Sequence, residues 1–198
     1  MKTKIVKADE KTIKEAAELI KNGELVAFPT ETVYGLGADA LNKFACQKIY
    51  EIKGRPNDKP LTFHVANFKM IEKVAEITPA AEKLIENFMP GPLTLILKGK
   101  ISPTVGIRMP DCETALQLIE FANCPIAAPS ANFSGQSPPI TAQEVFKNFN
   151  EKIPLILDGG ICKFSLSSTI LNLVGNKFEI LRKGALDEEE IFRVLKEV

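Results

Sequence analysis

The stretch from Lys53 to His64, KGRPNDKPLTFH, gathers three cations, two prolines and the only histidine of the 198-residue chain. Cations at this density suit a multiply charged anion such as the phosphates of a nucleotide. Arg55 would offer a planar fork of donors and Lys53 and Lys59 point charges, while Pro56 and Pro60 lower the entropy lost when the loop orders. A solvated charged loop with Asp58 as internal partner uses the same residues, and on residue type alone it is the simpler account. His64 falls on a strand-like alternation, with Leu61 and Phe63 on one face and Thr62 and His64 on the other, where a satisfied core histidine is the ordinary reading.

Other chemistries are excluded or weakened by what the chain lacks. There is no GxxxxGK[ST] loop, so bound phosphates would be neutralised by side chains and scattered backbone donors. Gly35-Leu36-Gly37-Ala38-Asp39-Ala40 has the loose GxGxxA form, but Pro29 to Tyr34 separate it from the preceding strand and no acid-tipped second strand follows, so a tight backbone corner is the expected use of its glycines. No GxSxG elbow is present, and Ser130 within PSAN lacks that turn signature, which argues against covalent acyl transfer. Three polar runs, Pro29 to Thr32, Ser130 to Ser134 and Ser165 to Thr169, each fall at the end of an expected strand, where an open α/β sheet collects its ligand contacts.

The elements that must carry these residues follow from periodicity and punctuation. Helices are expected over 11–22 with Gly23 as stop, from the Asn42 cap to Gly54, from Thr78-Pro79 to Phe88, over 111–122, from the Thr141 cap to Phe149, and after Asp187. Strands are expected over 24–28, 61–65, 93–98, 105–109, 125–128, 155–157, 168–174 and 178–182, the last two joined by a Gly175-Asn176 turn. Early alternation with a late hairpin gives an α/β fold with a twisted mixed sheet flanked by helices, in no regular doubly wound order. The segment 134–140 is the expected mobile loop.

Composition bounds the rest. Twenty-five Lys and Arg balance twenty-five Asp and Glu, so no overall field would draw the chain onto nucleic acid or an anionic membrane, and any anion site must be local. Four cysteines without a CxxC pair are expected to be reduced core thiols. With no signal pattern and no apolar run near the roughly twenty residues of a membrane span, a single domain in the cytoplasm is expected, without an additional C-terminal domain.

Seven ordered blocks, FPTETVYGLGADA, KGRPNDKPLTFH, PGPLTLIL, TVGIRMPD, APSANFSG, DGG with SSTI, and LRKG, closely resemble the YrdC-like threonylcarbamoyl-adenylate synthases in their short bacterial form. The resemblance implies a YrdC-like fold with a large concave cavity. It implies a nucleotidyltransferase converting L-threonine, bicarbonate and ATP to threonylcarbamoyl-AMP and pyrophosphate, with Mg²⁺ accompanying the ATP and no organic cofactor. It further implies delivery to a tRNA threonylcarbamoyl-transferase complex of the TsaD/TsaB/TsaE type. Carried over by motif, Arg55, Lys59, Thr104, Ser130, Asn132, Pro138 and Arg182 would face ATP, and Thr32, His64, Arg108, Ala128 and Ser168 would hold threonine. Lys53 and Arg55 would give electrostatic support, with no acid, base or nucleophile assigned and no metal ligand. Met89 and Cys112 depart from the residues common at their positions in relatives. An RNA-binding module on the same fold, and a carbamoyl-transfer relative or paralogue of different substrate, are the competing readings.

Overall fold

The structure is a computed structural model that describes residues 2–175 and 178–196. Among the described residues ten strands form one mixed sheet. In chain order they are β1 (Lys4–Lys7), β2 (Val26–Phe28), β3 (Gly35–Asp39), β4 (Thr62–His64), β5 (Leu93–Lys98), β6 (Thr104–Arg108), β7 (Ile126–Ala127), β8 (Leu155–Asp158), β9 (Thr169–Asn172) and β10 (Glu179–Arg182). Their order across the sheet is β1-β8-β2-β3-β7-β4-β6-β5-β9-β10. The parallel pairs β4/β6 and β5/β9 sit beside the antiparallel pairs β5/β6 and β9/β10, so the mixed, not doubly wound, expectation holds.

Among the described residues seven helices flank the sheet: α1 (Glu10–Lys21), α2 (Lys43–Lys53), α3 (Phe68–Val74), α4 (Pro79–Phe88), α5 (Glu113–Ala122), α6 (Ala142–Phe149) and α7 (Glu188–Leu195). Side-chain caps start most of them. Asp9 closes a capping box with Thr12, and Asn42, Thr78, Thr141 and Asp187 each accept a main-chain N–H, satisfying donors that a helix start leaves open. Gly54 ends α2 in the left-handed region at φ 58°, as a helix C-terminus favours. None of the described helices is long and apolar enough to cross a membrane.

Side-chain alternation tells which parts of the sheet are covered. α1 and α5 pack together with Val26, Phe28 and Ile126, while α2 and α6 enclose Ala27, Leu36, Ala38 and Ala127, which point the other way. On β5 the buried Leu93, Leu95 and Leu97 belong to the larger core, against which α4 packs. Their neighbours Thr94 and Ile96 face a cavity. The face of the sheet that α1 and α5 cover over β2, β3 and β7 is thus left open over β4, β6, β5, β9 and β10.

Several expected bounds moved. β1, β3 and α3 were not foreseen; each is short, and neither the exposed KIVK nor GLGAD carries an apolar alternation long enough to announce a strand. Gly35 and Gly37 lie within β3 instead of forming a corner. Their use is close packing: a Cβ on Gly37 would lie 2.7 Å from Phe28 Cε1 and 2.8 Å from Ile126 Cγ2. Of the expected Gly175-Asn176 turn, Asn176 lies outside the described residues. The loop 134–140 is exposed over 134–138, and main-chain bonds from Ser134 N to Lys53 O and from Tyr34 N to Pro139 O fix its two ends.

Gly37→Ala should therefore overpack the contact between Phe28 and Ile126 and lower the unfolding free energy by about 1–3 kcal/mol. Urea denaturation measures it, and an unchanged midpoint would mean the three residues pack differently.

Candidate active site

Sheet register, more than any loop, assembles the site. His64 stands opposite Arg108, and Thr62 opposite Gly106, in the parallel β4/β6 pair; Gly106 stands opposite Ile96, Thr94 opposite Ile170, and Ile170 opposite Arg182. Directly opposed residues share a face of the sheet. Histidine, threonines and two arginines from five strands therefore line one concave surface. It encloses a cavity of about 350 Å³, completed by Thr30 and Thr32 to Gly35, residues of the loop from Arg55 to Leu61, Ala128 to Ser130, and Ser167 and Ser168. That volume lies within the range of small-ligand sites.

The KGRPNDKPLTFH loop is built by its own arginine. Arg55 Nε donates to Lys59 O at 3.0 Å and Nη2 to Pro60 O at 2.9 Å, and Tyr50 Oη donates to Lys59 O at 3.2 Å. The internal partners of Arg55 are thus main-chain carbonyls and not Asp58. With two donors so used, the rest of the guanidinium remains for a ligand, and Lys59 stands exposed at the rim. Lys53 is buried behind this loop, where its amine donates to the main-chain carbonyls of Ser130 and Asn132. Burial, helped by the neighbouring charge of Arg55, pulls its pKa down to about 8. Asn132 in turn ties Phe133 O and Gln136 O, each at 2.8 Å. Lysine and asparagine here brace the loop that carries Ser130 and do not themselves line the cavity.

At the opposite wall Arg182 grips Ser168. Its Nε and Nη2 donate to Ser168 O at 3.0 and 2.8 Å, its Nη2 also reaches Ser168 Oγ at 3.1 Å, and that hydroxyl lies 2.8 Å from Thr94 Oγ1. The turn after β10 can lie this close because Gly184 lacks a side chain: a Cβ there would come within 2.4 Å of main-chain atoms of Ser167, Ser168 and Thr169. Burial lowers the pKa of Arg182, and the like charges of Arg108 and then Arg55 add to the effect. Arg182 therefore lies close enough to both Arg108 and Arg55 to feel their charge.

Arg108 is buried, with Nε 3.4 Å from Gly91 O and Nη2 2.8 Å from Glu31 Oε1. The second contact has ion-pair distance without hydrogen-bond alignment. His64 is buried edge-on to the Phe28 ring, with centroids 6.3 Å apart, and its Nδ1 has no hydrogen-bond partner. Burial, reinforced by the charge of Arg108, pushes its pKa down to about 3, so it is neutral at physiological pH.

Of the residues expected at the site, Thr32, Arg55, Lys59, His64, Arg108, Ala128, Ser130, Ser168 and Arg182 line this cavity, and Lys53, Thr104, Asn132 and Pro138 do not. Thr104 starts β6 on the same face as Gly106 but at the exposed end, and Pro138 lies in the exposed part of its loop. Thr94 and Glu31 were missed as site residues. Thr94 sits inside an apolar strand run, and only the register of β5 against β9 shows that it meets Ser168.

An open mixed sheet with an arginine-lined cavity over its uncovered half defines the architectural class. The sequence matches the Sua5/YciO/YrdC family model, described as telomere recombination, over residues 18–184. The chain belongs to that family. It is 48% identical to the threonylcarbamoyl-AMP synthase of Pyrococcus abyssi, covering 96% of this chain and 59% of the relative. It is 37% identical to the putative threonylcarbamoyl-AMP synthase of Methanocaldococcus jannaschii, covering 98% and 99%. The crystal structure of Pyrococcus abyssi Sua5 complexed with L-threonine superposes with a TM-score of 0.93 at 45% identity, over 99% of this chain and 61% of that one.

The depressed histidine pKa has a measurable consequence. Between pH about 3 and 6.5 the unfolded chain holds a proton on His64 that the folded chain excludes. Stability therefore rises with pH across this window and is lost as pH falls through it. His64→Gln should flatten the dependence of unfolding free energy on pH by up to about 1.4 kcal/mol per unit there. Parallel denaturation curves for both proteins would show instead that His64 titrates normally.

Proposed function

We propose that the protein joins L-threonine, bicarbonate and ATP into threonylcarbamoyl-AMP, releasing pyrophosphate and water, and so supplies the activated group for threonylcarbamoyladenosine in tRNA. The convergence of Arg55, Arg108 and Arg182 on one cavity that also presents His64 and Ser168 carries this reading. The likeness to synthases of that name supports it, although the chain spans only 59% and 56% of the length of the Pyrococcus and Bacillus subtilis relatives.

The chemistry accounts for the residue types. A carbamate of threonine must bring an anionic oxygen to the α-phosphate of ATP, and the two anions repel unless cations neutralise both. Arg55, Lys59 and Arg182 serve the polyphosphate, with Ser130 as a hydroxyl partner. Arg108 serves the amino-acid carboxylate, and Thr32, neutral His64, Ala128 and Ser168 shape the space around the amino acid. Lys53 and Asn132 hold the Ser130 segment in place, and Thr104 and Pro138 would meet the nucleotide only at the outer end of the site. Rate enhancement on this account comes from orientation and electrostatics, without a protein nucleophile. Among the described residues no group of three or more His, Cys, Asp or Glu is arranged to hold a metal ion. Mg²⁺ would arrive on the triphosphate, where it would neutralise the oxygens of the leaving pyrophosphate. The adenylate would pass to a separate transferase complex of the TsaD/TsaB/TsaE type, in the cytoplasm.

Incubation with ATP, Mg²⁺, bicarbonate and labelled threonine should yield a threonine-dependent adenylate and pyrophosphate; salt-sensitive tRNA binding without ATP turnover would favour the RNA-binding alternative. Within that assay Arg55→Ala or Lys59→Ala should lower kcat/KM for ATP by about ten-fold or more. Lys100→Ala, whose amine donates to Glu72 O, should stay within about two-fold. Equal losses in all three would count against this placement of the triphosphate.

A further inference from the structure

Glu31 is the only carboxylate buried from solvent among the described residues, and it lies beside a cavity otherwise surrounded by cations. Thr30 and Thr32 on either side of it line the cavity, whereas Glu31 does not. Its corner is rigid: Thr30 Oγ1 donates to Val33 O at 2.7 Å and lies 2.8 Å from Thr32 Oγ1, and Glu31 O accepts from Phe164 N at 2.9 Å. The carboxylate reaches Arg108 Nη2 at the ion-pair distance of 2.8 Å, and neither of its oxygens has a hydrogen-bond partner. Stability alone is a poor reason for such a pair, because a buried ion pair can often be replaced by apolar residues without loss. What the pair does fix is direction. With Nε turned to Gly91 O and Nη2 beside Glu31, Nη1 is the end of the guanidinium that neither contact occupies.

We propose that Glu31 is a positioning residue that selects the edge of Arg108 presented to the amino-acid carboxylate. The proposal rests on reading Arg108 as the partner of the amino-acid carboxylate. Glu31 acts through Arg108 and touches no substrate. It makes the cavity two anion sites of different character: a fixed, already partnered guanidinium for one carboxylate, and a less constrained set of cations for phosphates.

Calorimetric titration of threonine, of threonine amide and of a non-hydrolysable ATP analogue into the parent protein, Glu31→Gln, Arg108→Gln and the double variant tests this. The parent should prefer threonine over its amide. Glu31→Gln should lose about ten-fold in threonine affinity, as expected for a hydrogen bond between charged groups, while affinity for the amide and the nucleotide changes by no more than about two-fold. In the double variant the losses should not add, since Glu31 has no effect without Arg108. A preserved preference for threonine over the amide, equal losses for all three ligands, or additive effects would each overturn the proposal. Should the glutamine variant fail to fold, Glu31→Asp keeps the charge at a shorter reach, and the same selective loss is expected; an aspartate variant that binds like the parent would overturn it. A parent protein that binds the nucleotide but no threonine would reject the functional reading itself, a result distinct from any of these.

Discussion

Burying the guanidinium of Arg108 in the middle of a sheet costs several kcal/mol unless an anion and good acceptors replace the water it loses. Much of the site is arranged around that constraint. The Pro90-Gly91-Pro92 break between α4 and β5 turns a carbonyl toward Nε, and the Thr30–Thr32 corner holds Glu31 against Nη2. His64, directly opposite on β4, remains neutral because it is buried and because Arg108 is there. A protonated His64 would place two cations side by side in a low-dielectric wall. Burial and charge together thus make the imidazole an uncharged surface element and leave the arginine as the charge at that end of the cavity.

The second organising feature is the uneven covering of the sheet. α1 and α5 close one face over β2, β3 and β7, and that face continues uncovered as the cavity floor. Because it is floored by strands, its side chains are set by register, and a shift of one residue in β6 would turn Arg108 into the core and Ile107 into the cavity. The walls are braced by side chains with main-chain partners, Lys53 on Ser130 and Asn132, Arg55 on Lys59 and Pro60, and Arg182 on Ser168. Each bond holds a cation, or the residue beside it, in a defined place before any anion arrives, which lowers the cost of ordering on binding. A chain with no net charge thereby concentrates positive charge in one concavity.

Much of this was legible in the sequence, for identifiable reasons. Asn42, Thr78, Thr141 and Asp187 announce helix starts through their side-chain chemistry, and each caps the helix expected of it. The alternation of Leu61 to His64 assigns the faces of β4 correctly, with Thr62 and His64 on the cavity side. The loop around Arg55 is ambiguous, because its three cations, Lys53, Arg55 and Lys59, read on residue type alone more simply as solvated. Only the other blocks brought to the same cavity, Ser130, Arg108 and Arg182 among them, separate the two readings. Illegible were the features that depend on non-local register: the meeting of Thr94 with Ser168, the pairing of Glu31 with Arg108 across seventy-seven positions, and the burial of Gly37 against Phe28. Composition and spacing carry no signal for contacts that exist only once five strands are aligned.

The central claim is that one cavity accepts an amino acid at its Arg108 end and a nucleotide at its Arg55 and Arg182 end, with Ser168, gripped by Arg182, between them. The most direct measurement is calorimetry of threonine binding with and without a saturating non-hydrolysable ATP analogue and Mg²⁺. The account predicts one threonine site per chain whose affinity changes when the nucleotide is present, with the reciprocal change in nucleotide affinity that linkage requires. Threonine and nucleotide binding that are wholly independent, or threonine binding that a large excess of the nucleotide abolishes, would contradict it.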